Sequence, residues 1–133
     1  MSKFIINIID NDQEKPDTEI TINGNTFDVI KVFDEACMGW ERNHEYNKVF
    51  LRIQQNYLDE LLKKRGYLFL NEAYAALDLP PTKIGQVVGW INREDSYVDL
   101  GFNSKLNVGF MNGDINTFVV EPNVDGIILH KVF

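Results

Sequence analysis

The chain has little of what several common chemistries require. It carries one cysteine and two histidines in 133 residues, so no internal disulfide forms and no zinc-ligand spacing exists around Cys37, His44 and His130. A basic surplus is also missing. Thirteen Lys and Arg stand against 20 Asp and Glu, a formal net charge of -7. That balance opposes the counterion release that drives most nucleic-acid affinity and argues against direct DNA or RNA binding. The longest apolar runs, such as Ile5-Ile6 and Gly126–Leu129, fall well below the ~20 residues of a membrane span. With no signal-peptide pattern at Met1 onward, the expectation is a soluble cytoplasmic protein with no membrane partner.

What is present is a foldable core. Apolar residues make up 44% of the chain and charged residues 25%, with 9 Phe, 5 Tyr and 2 Trp, the balance of a single globular domain rather than a disordered segment. The reading is one α+β domain spanning 1–133, with a β-meander over 1–31, a helical part over 32–79 and a β-rich part over 86–133. A central helical pair packs on a mostly antiparallel β-sheet.

The meander comprises strands 4–9, 19–23 and 26–31, the last two joined at Asn23-Gly24, a pair suited to a type I′ hairpin turn. The clearest helix is 46–65. Tyr46, Phe50, Ile53, Tyr57 and Leu61 recur at spacings of three and four, Leu51, Leu58 and Leu62 widen that stripe, and it predicts the core face with the first five on the sheet. Lys63-Lys64-Arg65 suit its negative end, and Gly66 suits a left-handed cap. A shorter helix follows, capped by Asn71 and stopped by Pro80-Pro81. Beyond it, alternation predicts strands over 86–91, 97–102, 106–111, 117–120 and 127–132.

The run from Tyr57 to Tyr74, YLDELLKKRGYLFLNEAY, is followed by Gly85-Gln86-Val87-Val88-Gly89-Trp90, Tyr97–Phe102, Phe110-Met111-Asn112-Gly113 and Asn123–Ile128. In that order these blocks resemble an uncharacterised family of small proteins encoded by phages and integrated elements of Gram-positive bacteria, over about residues 56–129. The resemblance implies a mobile-element context and assigns no activity to a residue.

Candidate chemistry is sparse. Asp10, Asp12, Glu14 and Asp17 have the alternate-residue carboxylates of a calcium loop, but Lys15 stands where the sharp turn needs Gly and Thr21 where a bidentate acid belongs. With Glu19 they form an acidic segment, the candidate partner-binding surface. Asp99 and Asp125 are the carboxylates able to serve as acid and base or to hold magnesium in a small metal-assisted enzyme. The blander roles are a strand-end cap for Asp99 and a type I′ turn at Asp125-Gly126. No serine has a nucleophile-elbow context. Gly85–Gly89 lacks the lysine and spacing of a phosphate loop and reads instead as close backbone packing beside Trp90. Cys37 reads as a small core residue.

The sequence therefore favours a non-enzymatic interaction protein of a mobile element, acting as an acidic inhibitor of a host nucleic-acid-handling or defence protein. A basic nucleic-acid-binding enzyme is the natural protein partner, because carboxylates then stand where phosphates would sit. The alternatives are the metal-assisted enzyme and a virion or assembly component. No catalytic residue, cofactor or metal is assigned, and the oligomeric state is left open.

Overall fold

The computed structural model describes residues 4–5, 19–22 and 25–132, with side chains from Val29 onward. In chain order the elements are β1 (Phe4–Ile5), β2 (Glu19–Ile22), β3 (Asn25–Asp28), β4 (Lys31–Phe33), α1 (His44–Arg65), β5 (Tyr67–Phe69), α2 (Leu70–Ala76), a 3-10 turn (Ile84–Gln86), β6 (Val88–Ile91), a second 3-10 turn (Lys105–Asn107), α3 (Val108–Asn112), β7 (Phe118–Val120), β8 (Gly126–Ile127) and α4 (Leu129–Val132). The architecture is α+β, as the composition predicts. Among the described residues the β-structure is divided into three small antiparallel sheets, ordered β1-β2-β3, β4-β7 and β5-β6-β8.

The meander is present, with Ile22 opposite Asn25 and Phe4 opposite Ile22. Asn23 and Gly24 themselves lie outside the described residues. Val29 leaves β3 buried, and its carbonyl accepts the Tyr74 hydroxyl at 2.7 Å, which ties the end of the meander to α2.

Helix α1 forms where its local signals lie. The Asn43 side chain accepts the Tyr46 N–H at the start, and Gly66 closes the end with φ 98° while its N–H bonds the Leu62 carbonyl. Only a residue tolerant of the left-handed region fits there without strain. The predicted core face is right only along its Leu51, Leu58 and Leu62 flank. The fully buried positions are Asn47, Leu51, Leu58 and Leu62, whereas Tyr46, Ile53 and Tyr57 are exposed and Phe50 and Leu61 only partly covered. Two apolar stripes share this helix, and periodicity does not say which one meets the sheets.

The second helix starts one residue before Asn71 and has no side-chain cap. Asn71 instead accepts the Thr82 N–H through Oδ1 and donates to the Thr82 carbonyl through Nδ2, holding the loop after α2 against it. At Gly89, a β-carbon would lie 2.0 Å from the Leu68 carbonyl oxygen. Glycine is required because β5 and β6 approach there, with Phe69 opposite Gly89, as the close-packing reading of Gly85–Gly89 expected.

Three predicted strands are corrected. Residues 106–111 form the Lys105–Asn107 turn and α3 instead. The Ser104 hydroxyl caps the Leu106 N–H, and Gly113 ends α3 with φ 86°, so local capping outweighs the alternation of Leu106, Val108 and Phe110. Residues 127–132 give only the end of β8 and then α4. Residues 97–102 belong to no strand, for reasons that lie in side chains brought from elsewhere.

Candidate functional site

The segment from Tyr97 to Leu100 lies across α1, and its N–H groups at Val98, Asp99 and Leu100 are satisfied by side chains, while its carbonyls at Asp99 and Leu100 accept the backbone N–H groups of Asn123 and Glu121. Asp59 and Gln55 of α1 accept the Val98 and Leu100 N–H groups at 3.0 and 2.8 Å. Asn123 accepts the Asp99 N–H through Oδ1 at 2.8 Å, and its own N–H returns to the Asp99 carbonyl at 3.1 Å. The Leu100 carbonyl accepts the Glu121 N–H. Buried backbone groups must be paired, and here distant carboxylate and amide groups pair them.

Asp99 is the pivot. It is buried, and Oδ1 accepts the Gly101 and Phe102 N–H groups, both at 2.9 Å, while Oδ2 accepts the Asn103 amide at 3.1 Å. This is a side-chain-capped turn, the local role aspartate commonly plays. A cleft of about 210 Å³ opens beside it, lined by Asp99, Gly101, Asn103, Ser104, Glu121, Pro122 and Asn123. Its volume is below the ~300–1,000 Å³ typical of small-molecule sites. Trp90 closes the cluster by donating its indole N–H to Asn123 Oδ1 at 2.9 Å.

Asn107 is fully buried next to this cluster. Its amide donates to the Gly101 and Val119 carbonyls at 2.9 and 2.8 Å, and its oxygen accepts the Val119 N–H at 2.7 Å. One carboxamide thus pairs both polar groups of a β7 residue, as a neighbouring strand would, and closes the outer edge of the β4-β7 sheet. Asn47 does comparable work beneath α1, bonding the Glu41 N–H and carbonyl and the Asn116 side chain.

Asp125 lies apart from the cleft lining. Its carboxylate accepts the Ile91 N–H at 2.8 Å and pairs with Arg93 at 3.1 Å. The expected type I′ turn at Asp125-Gly126 is not formed: Gly126 has φ 139° and begins β8, and Asp125 does not have the positive φ such a turn needs. Among the described residues, no three His, Cys, Asp or Glu side chains are grouped to hold a metal ion.

Of the acidic partner-binding candidates, Asp10, Asp12, Glu14 and Asp17 lie outside the described residues, and Glu19 is placed in β2 by its backbone alone. His44 begins α1 with Nε2 hydrogen-bonded to the Phe110 carbonyl and its ring tilted against Phe110, so it joins α1 to α3. Cys37 is buried, and burial pushes its thiol above the ordinary range, consistent with a small core residue.

A family model covers almost the whole chain. It matches residues 5–130 and is recorded as a family of unknown function, DUF6353. The chain belongs to this family. No curated protein and no solved structure matches it. The DUF6353 match begins at residue 5 and so takes in most of the first 55 residues as well as the Asp99 cluster. No helix among the described residues is long and apolar enough to cross a membrane.

Sequence reasoning missed Asn103, Asn107, Glu121 and Asn123. One signal is visible in retrospect: Asn107 stands between Leu106 and Val108, and a polar residue amid apolar neighbours is a candidate for pairing backbone.

Proposed function

We propose that this member of DUF6353 is a non-enzymatic interaction protein of a mobile element, working in the cytoplasm as an acidic inhibitor of a host nucleic-acid-handling or defence protein. The observation that carries the reading is where the two carboxylates of the enzymatic alternative are spent. Asp99 holds three N–H groups of its own turn, and Asp125 holds Ile91 and Arg93. Groups committed to backbone donors and an ion pair are poorly disposed to shuttle protons or ligate a metal.

The net charge of -7 supports a basic partner, because complementary potentials speed encounter and set register. Asp10, Asp12, Glu14, Asp17 and Glu19, with only Lys15 between them, concentrate that charge. The ordered blocks from Tyr57 to Ile128 support the mobile-element setting.

The test compares wild type with a variant in which Asp10, Asp12, Glu14 and Asp17 become Asn or Gln. Both are immobilised, exposed to host lysate at low and high salt, and added to the nuclease activity of that lysate. The expected result is a captured nucleic-acid-handling protein that associates about tenfold faster with wild type at low salt, and nuclease inhibition that the variant loses. Identical capture by both chains at both salts, with nuclease activity untouched, refutes the reading.

A further inference from the structure

We draw no further inference here: the strongest candidate, the polar cleft beside the Asp99 turn, belongs to the site already described, and with its Asp99 oxygens taken up by the Gly101, Phe102 and Asn103 donors nothing in the structure shows what it would hold.

Discussion

Replacing Asn107 by Ala tests whether side chains stand in for strands in the C-terminal half. The side chain is fully buried and makes three hydrogen bonds, two to Val119 and one to Gly101. Each is worth about 0.5–1.5 kcal/mol net, and a buried group left without a partner costs about 1–3 kcal/mol. The Gly101 carbonyl keeps the Ser104 N–H, so the main loss falls on Val119, whose N–H and carbonyl are both stripped. The expected destabilisation is about 2–5 kcal/mol, a large share of the ~5–15 kcal/mol that holds a small domain folded. Asn107→Asp sharpens the test. It preserves size and the acceptor for Val119 but points an oxygen at two carbonyls, so it should cost at least as much as Ala near neutral pH. The assay is urea unfolding followed by tryptophan fluorescence, with the slope compared between variants to confirm that the same surface is exposed. A midpoint shift worth less than about 0.5 kcal/mol for Asn107→Ala would refute the account, since only a neutral surface position behaves that way.

Leu51→Ala and Leu58→Ala should each destabilise by about 2–5 kcal/mol, while Ile53→Ala, being exposed, should stay within about 0.5 kcal/mol; the reverse order in urea unfolding would restore the face that periodicity predicts. Gly89→Ala places a β-carbon 2.0 Å from the Leu68 carbonyl and should cost about 3 kcal/mol or prevent folding, read as loss of soluble, cooperatively melting protein; normal melting would show that β5 and β6 separate easily. Burial raises the Cys37 thiol's pKa, so its contribution is present in full below the unfolded thiol's value near ~8.5 and is lost as pH rises through the higher folded value. Melting temperatures of wild type and Cys37→Ala should therefore converge between pH 7 and pH 10, and a constant gap would contradict it.

The elements legible in the sequence are those whose causes are local. The end of α1 is written in Lys63-Lys64-Arg65-Gly66, signals that act within one turn, whereas its start at His44 under the Asn43 cap lies two residues before the predicted one. The antiparallel pairing of β2 with β3 follows from alternation on either side of Asn23-Gly24. The Gly85–Gly89 run reads correctly as close packing because a missing side chain lets neighbouring groups approach the backbone, as the Leu68 carbonyl does at Gly89.

The face that α1 buries was a tertiary decision. Tyr46, Phe50, Ile53 and Tyr57 compete with Leu51, Leu58 and Leu62 on the same helix, and only the surface waiting opposite, where α1 meets β5, chooses between them. The same holds for Tyr97–Phe102, which alternates as a strand but finds Asp59, Gln55 and Asn123 as its hydrogen-bond partners, residues 24 to 45 positions away. The role of Asp99 was set in that way too: a lone aspartate in the sequence is equally a base, a ligand or a cap, until Gly101, Phe102 and Asn103 arrive around its oxygens. Composition and short-range spacing determined an acidic α+β chain with one well-bounded helix, because charge balance and capping are properties of neighbours in sequence. Which surfaces became core and which carboxylates became structural was decided by the tertiary fold, because burial and hydrogen-bond pairing are properties of neighbours in space.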